Sequence, residues 1–485
     1  MSKRQGSKRH SYTRRISGHI ANFWAALIEN PSRSALVGVL SLMSLWLVIT
    51  KSLPYALATV EPDAALAFNP NNPMALLSKA EKRREKLVAI TGIGAEKASG
   101  PEDTKREERS NTLSSLPEAK ESETELGERE DLREEIRDLA LRALANDPLN
   151  ARAYRALAEV VSGADQVRLL MQKAFEHSRR ESIATFWLIN DSYYRKDFKA
   201  TLHYSDILLR TRPELATYIY SYLSLLAAEP EGRSLLVDRL ASEPAWRKQF
   251  FQVFPRASKD ADAPLLVMTA LRNAGKPVSD KELAPYLNFL ISVNRIDAAY
   301  NAWLQSLSGD QLEKIELLTN GRFESKPSGL PFDWTIDPGK NAVADFAPLG
   351  KNSTGNAFHI KFGDGRVQFP QMSQVLFLPP GRYRVEGNLR GAISGKRGLR
   401  WQIRCASGPQ KILGETEMLL GQSPQWRVFT FDAEVPQLSE CAGEILRLIH
   451  DARSASEELV SGEVWFSDVR LTHVLPVTAL WSTSQ

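Results

Sequence analysis

Side chains that could carry chemistry are sparse in this sequence and gather in its last third. Four carboxylates there, Glu386, Glu415, Glu417 and Asp432, are of the kind a glycoside hydrolase needs as a facing pair, one to protonate the leaving oxygen and one to attack or to activate water. Nothing in their spacing pairs them. Of the seven histidines, His10 and His19 lie near the start and the other five show no metal-ligand spacing. No Gly-x-Ser-x-Gly elbow, Gly-x-x-x-x-Gly-Lys-Ser/Thr loop or Cys-x-x-Cys occurs, and "GIGAEK" at 92–97 has too few glycines to cradle a phosphate. The sequence therefore nominates no catalytic residue, and a non-catalytic protein is expected. The two cysteines, Cys405 and Cys441, are placed for a disulfide if this region faces an oxidising compartment; two buried thiols are the rival reading.

The elements that would hold these residues can be inferred from length and charge pattern. A chain of 485 residues is too long for one core, and a net charge of +4 with 25% charged residues suits neither a nucleic-acid binder nor an acidic tail. Residues 1–33 carry seven Lys and Arg against the single acid Glu29, and "SALVGVLSLMSLWLVIT" from Ser34 carries no charge. Those residues make a helix of roughly 26 Å, close to the thickness of a bilayer core. A signal anchor is expected over 34–53, ended by Pro54, with the basic flank cytoplasmic and the bulk of the chain outside. Ala56 and Ala58 also fit a signal-peptidase site, so cleavage after Ala58 stays open. Ile16, Ile20, Phe23, Trp24, Leu27 and Ile28 share one helical face, as an interfacial helix on an anionic leaflet would.

Three stretches resemble one another: "ALAFNPNNPMALLSKAE" from Ala65, "ALANDPLNARAYRALAE" from Ala143 and "ILLRTRPELATYIYSYLS" from Ile207. Each runs from an apolar helix end through a polar residue and proline into an Ala- and Leu-rich helix. The pattern resembles degenerate tetratricopeptide repeats; an ordinary helical bundle is the rival. The first repeat-like helices are expected over 59–91 and the main array over 132–316, an array that stacks to offer a concave surface to protein partners. Between them, residues 92–131 hold 12 acids against 6 bases from Glu96 to Asp131, and a disordered insertion is expected there.

From "LLTNGRFESKPSGLPFDW" (317–334) onward the pattern changes to short alternating runs, "AFHIKFG", "GRYRVEGNLRG", "LRWQIRCAS", "WRVFTFDAEV" and "EVWFSDVRLTHV" among them. An antiparallel β-sandwich over 317–475 is expected, with a tail at 476–485. "NGRFE…FDW", "LPPGRYRVEGNLRG" and "WFSDVRL", in that order, resemble the galactose-binding-like jelly roll of carbohydrate-binding modules. With the anchor and the repeats, the whole chain resembles bacterial membrane-anchored tetratricopeptide proteins associated with exopolysaccharide production. The fold class is thus multidomain α + β: a transmembrane helix, a helical array and a jelly roll.

The resemblance implies roles for particular residues. Glu324 and Asp468, with carbonyls near Asn320, match a structural calcium site between the first turn and the last strand. Trp334, Trp401, Trp426 and Trp465 are the candidate sugar platforms; Trp334 and Trp465 read as core, and Trp401, in a run with Arg400, Gln402 and Arg404, as ligand-facing. The function implied is a non-catalytic scaffold anchored in the inner membrane, its array binding envelope or polysaccharide-assembly proteins and its sandwich contacting polysaccharide. The alternatives are a structural envelope assembly protein with a protein-docking sandwich, and a polysaccharide hydrolase or lyase.

Overall fold

The computed structural model describes residues 31–91, 123–349, 355–406, 411–437 and 440–474. The amphipathic segment at 16–28, most of the basic leader, the acidic stretch up to 122 and the tail at 476–485 lie outside the described residues. The chain divides into two compact units, residues 1–215 and 216–485. The division falls within the helical region and not at 316/317.

The first unit opens with helix α1, Pro31–Leu47, which continues through a π turn, Val48–Ser52, into α2, Leu53–Leu57. Residues Gly38–Leu57 are long and apolar enough to cross a membrane, and Leu42, Met43, Leu45 and Trp46 on it are exposed. Pro54 was expected to stop this helix, and it does not. A proline lacks the donor N–H and crowds the carbonyl four residues back, and the widened π turn just ahead of it absorbs both defects. The stretch between Ala56 and Ala58 therefore ends a helix, and Ala58 is buried against Ala65 and Ala75.

Helices α3 (Pro62–Phe68), α4 (Pro73–Thr91), α5 (Glu123–Asn146), α6 (Ala151–Ala158), α7 (Ala164–His177), α8 (Ser182–Tyr194) and α9 (Phe198–Thr211) complete the unit. The polar residues of the proline joints are caps: the Asn72 side chain accepts from the Met74 and Ala75 amides at 3.0 and 3.3 Å, and Asn150 from Ala153 at 3.3 Å. Of the segment 92–131 expected to be disordered, Glu123–Asp131 belongs to α5, and the rest lies outside the described residues. The packing of the later turns sustains that helix: Leu132, Ile136, Leu139, Ala140 and Ala143 are buried, the last four in one cluster with Leu76, Leu77 and Ala80 of α4. Across these helices Arg155 is buried with Glu81 at 2.9 Å, Glu159 at 2.8 Å and Glu181 at 3.2 Å. Burial pushes the Glu159 carboxyl up despite the arginines beside it.

The second unit begins with α10 (Ala216–Ala228), α11 (Pro230–Ala241), α12 (Arg247–Ala257), α13 (Ala263–Asn273), α14 (Asp280–Ser292), α15 (Ile296–Ser306) and α16 (Gly309–Leu312). The strands come next: β1 (Thr335–Ile336), β2 (Ala342–Pro348), β3 (Asn356–Phe362), β4 (Met372–Leu376), β5 (Gly381–Gly395), β6 (Leu399–Cys405), β7 (Ile412–Glu415), β8 (Gly421–Val435), β9 (Glu444–His450) and β10 (Val460–His473). They form two antiparallel five-stranded sheets, ordered β1-β4-β9-β6-β7 and β2-β3-β10-β5-β8. Alternation sends Trp334, Phe358, Trp401, Phe429, Leu446 and Phe466 into one core between them.

Last helices and sandwich share packing, which is why they fall in one unit. The Phe332 ring lies 5.2 Å from Tyr300 and 5.5 Å from Trp303 of α15. A Cβ on Gly443 would come within 2.7 Å of Ile296. The connection between them is clipped by Gln374, whose buried amide gives and takes one hydrogen bond with the Thr319 backbone, both 2.9 Å. Cys405 and Cys441 form a disulfide across a separation of 36 residues, tying the end of β6 to the turn before β9.

Candidate functional site

The first turn of the sandwich and its last strand meet. The Val469 amide donates to Gly321 O at 2.9 Å, at a bulge in β10 between Ser467 and Arg470. A Cβ on Gly321 would collide with the Val469 carbonyl, so only glycine allows this approach. Asn320 and Phe323 adopt left-handed backbone at φ +54° and +57°, and Asp468 at +50°. Such conformations are held by their partners: the Asn320 side chain bonds both backbone groups of Ser325, and the Phe323 ring is buried in the core.

This junction does not fit the expected calcium ion. The Asn320 carbonyl accepts from the Trp334 indole N–H at 3.0 Å. Asp468 accepts from Arg470 Nε at 2.8 Å, and Arg322 stands 3.8 Å from the same carboxylate and 4.0 Å from Glu324. Two guanidinium groups thus stand where a dication would need to be, and Glu324 is exposed. Among the described residues no group of three or more His, Cys, Asp or Glu could hold a metal.

Two of the candidate sugar platforms are core residues, Trp334 as expected and Trp401 against expectation. Trp401 is 0% and Trp334 1% exposed, their rings 5.9 Å apart, and Trp401 lies parallel to Phe429 at 6.0 Å. The reason is parity. Arg400, Gln402 and Arg404 face outward, so the tryptophan between them faces inward with Leu399 and Ile403. Trp465 is the reverse: its neighbours Val464 and Phe466 are the core residues, and it sits half-buried on the outer face. Trp426 is exposed as expected, at 37%.

Trp465 and Trp426 belong to one row across the second sheet. Register places Asp345 of β2 opposite His359 of β3, His359 opposite Trp465 of β10, and Trp465 opposite Arg390 of β5. The His359 ring stacks on Trp465 at 4.7 Å and 13°. Its Nδ1 meets Asp345 Oδ1 at 3.0 Å and its Nε2 meets Glu463 Oε1 at 2.7 Å. On the other side the Arg390 guanidinium lies 5.3 Å from the Trp465 centroid and 5.0 Å from that of Trp426. A bulge creates this last contact: pairing slips at Leu389/Gly391, leaving Pro424, Gln425 and Trp426 of edge strand β8 opposite Arg390 alone. Proline has no ladder donor, and Gly391, at φ +129°, admits no Cβ because Glu463 O occupies the space.

The result is an aromatic and cationic strip on the outer face, exposed at Trp426 and half-buried at His359, Trp465 and Arg390, on strands and not on loops. Sequence reasoning found Trp426 and missed His359, Arg390 and the outward face of Trp465. The signal that could have found Trp465 was the pair of apolar residues flanking it. The four carboxylates are divided: Glu386 and Asp432 share the outer face of neighbouring strands of the second sheet, and Glu415 lies in the first. Asp432 is paired with Arg384 at 2.8 Å on the second sheet, its carboxyl held below the usual range chiefly by that bond, and Glu386 is exposed on β5, opposite Thr430. Glu415, in the first sheet, accepts from Gln402 at 3.0 Å within a chain that continues to Arg447 at 2.6 Å, and Glu417 is exposed beyond β7.

Neither a family model nor a curated protein sequence matches the chain. Solved structures similar to it include a CBM4 carbohydrate-binding module, at 17% identity over 32% of this chain and 99% of that one, with a TM-score of 0.24. A β-1,3-glucan-binding CBM6 from Bacillus halodurans matches at 15% identity over 28% and 95%, with a TM-score of 0.19. The module TmCBM61, solved with β-1,4-galactotriose, matches at 15% identity over 33% and 99%, with a TM-score of 0.22. At these identities and scores the likeness assigns this chain no ligand.

Proposed function

We propose that the protein is a non-catalytic scaffold, anchored by Gly38–Leu57 in the inner membrane of a bacterium, that holds polysaccharide on the outer face of its sandwich during exopolysaccharide synthesis or export. The observation that carries the reading is the strip His359–Trp465–Arg390–Trp426. The faces of Trp465 are covered by His359 and Arg390, so the outer face of Trp426 and the edge of Trp465 are what offer rigid apolar area to the C–H face of a sugar ring, at little entropic cost because their orientation is already set. The polar groups around them suit the hydroxyl rim of the same ring.

Placement outside the membrane is supported by the disulfide, which persists in oxidising compartments, and by the basic leader, which stays on the cytoplasmic side. Burial of Ala58 favours the uncleaved anchor. The paired helices, read as tetratricopeptide-like, would take envelope or polysaccharide-assembly proteins on their stacked surface.

The test is a polysaccharide array probed with the purified full chain, disulfide intact, with the recovered polymer then sized. Binding with unchanged chain length is expected. A folded chain that holds no glycan would make the sandwich a protein-docking module, and shortened polymer would make the protein a hydrolase or lyase.

A further inference from the structure

On the outer face of the second sheet several charges are already matched, while Glu386, exposed on β5, makes no ion pair with a described residue. Arg384 is bound to Asp432 and Arg470 to Asp468, each at 2.8 Å. Asp345 and Glu463 spend oxygens on the two nitrogens of His359. Arg390 is different: its guanidinium is held between two indoles, and among the described residues no carboxylate comes within ion-pair distance of it. Lys361, on the same face of β3 and exposed, likewise has no carboxylate partner within that distance. It lies on the far side of β10 from Arg390, opposite Glu463 and two residues along from the Trp465–Arg390 pair, so the two backbone positions are roughly 12 Å apart.

A guanidinium is planar and weakly hydrated, and stacking between aromatic rings leaves its N–H edge free to grip a carboxylate with two parallel bonds. Stacking also fixes the arginine before the ligand arrives, so little rotamer freedom remains to be lost. Had the strip been made for a neutral sugar, a cation without a counter-charge between the two tryptophans would contribute little.

The geometry points to a carboxylate-bearing polysaccharide, a uronate polymer, as the ligand of this strip, with Arg390 gripping a carboxylate, Trp426 stacking on the sugar that bears it and Lys361 meeting a second acidic residue along the chain. This rests on the polysaccharide reading above and names the substrate class of that site.

The experiment compares the detergent-solubilised full chain and its Arg390→Gln variant on three immobilised probes: polygalacturonate, the same polymer fully methyl-esterified, and a neutral β-glucan. Circular dichroism and thermal midpoint verify that the variant folds. Wild type is expected to hold polygalacturonate at least tenfold more tightly than its ester, as a charge-assisted bond warrants. Arg390→Gln should abolish that preference, and about 0.5 M NaCl should weaken it by screening. Esterification removes the charge from the ligand, so the test does not depend on the variant alone. Equal binding of acid and ester forms, or an Arg390→Gln variant that keeps the preference, overturns the uronate inference. Binding of the neutral glucan that equals or exceeds that of the acid does so while leaving the polysaccharide reading intact. Binding of none of the three overturns both.

Discussion

Glu444 is the more deeply buried of two buried acids among the described residues of the sandwich, and its environment predicts an unusual pH dependence. It is 1% exposed, its Oε2 accepts from the Leu378 amide at 3.2 Å, and its Oε1 has no partner. Burial pushes its carboxyl up to about 7, with only the Leu378 N–H pulling the other way. In the unfolded chain the group ionises near 4.5. Between these values the unfolded state releases its proton and the folded state keeps it, so the unfolded state binds fewer protons and stability falls as pH rises. Each pH unit in that window is worth about 1.4 kcal/mol, which makes the total loss about 3 kcal/mol by pH 8. Glu444→Gln keeps the shape and removes the titration. Urea unfolding of the chain from Ala58 onward, monitored by near-ultraviolet circular dichroism of the buried tryptophans, measures the difference. Wild type and variant should match near pH 4.5, and the variant should be more stable by about 3 kcal/mol at pH 8. Equal stability at both pH values, or a variant that loses stability at pH 8, would refute the reasoning.

The remaining expectations concern what holds the sandwich together. Trp401→Ala should destabilise it by about 3–5 kcal/mol through the cavity it leaves, whereas Trp426→Ala, on the surface, should stay within about 1 kcal/mol in the same denaturation assay. Reducing the disulfide, or Cys405→Ser with Cys441→Ser, should cost about 4 kcal/mol on the loop-entropy estimate for a 36-residue separation, read as a lower urea midpoint. Gln374→Ala leaves the Thr319 amide and carbonyl without their partner and should cost about 2 kcal/mol. In hydrogen exchange the loss should appear first at residues 317–335.

The change from helix to strand was legible because both periods are local. Apolar residues spaced for helices end near Leu312, and alternation begins soon after Trp334. The turn around Asn320 and its pairing with the last strand were legible only through the resemblance of "NGRFE" and "WFSDVRL" to the jelly roll; the close approach at Gly321 and the indole bond of Trp334 give the physical reason for it. The site was not. The row Asp345–His359–Trp465–Arg390–Trp426 draws one residue from each of five strands, and only register, which depends on long-range pairing and on two bulges, brings them together. Trp401 was misplaced because charged neighbours suggested a wet environment, when in a strand they mark the opposite face. The short strands β1, β2, β7 and β9 escaped notice, β9 because its "EILRLIH" alternation carries only one charged outward residue between its ends. Pro54 misled for want of a local sign that a π turn could take up its missing hydrogen bond.

Affinity electrophoresis of the intact chain through gels containing either polygalacturonate or a neutral β-glucan, wild type beside Trp426→Ala, tests the polysaccharide reading most directly. Trp426 is exposed and contributes little to folding, so lost retardation in a variant of unchanged thermal midpoint reports lost binding. Retardation of the wild type that falls at least tenfold in affinity on Trp426→Ala is the predicted result, in line with the energy of one aromatic stacking contact. A wild type that migrates in both gels as it does in plain gel, or a Trp426→Ala variant retarded as strongly as wild type, would contradict it.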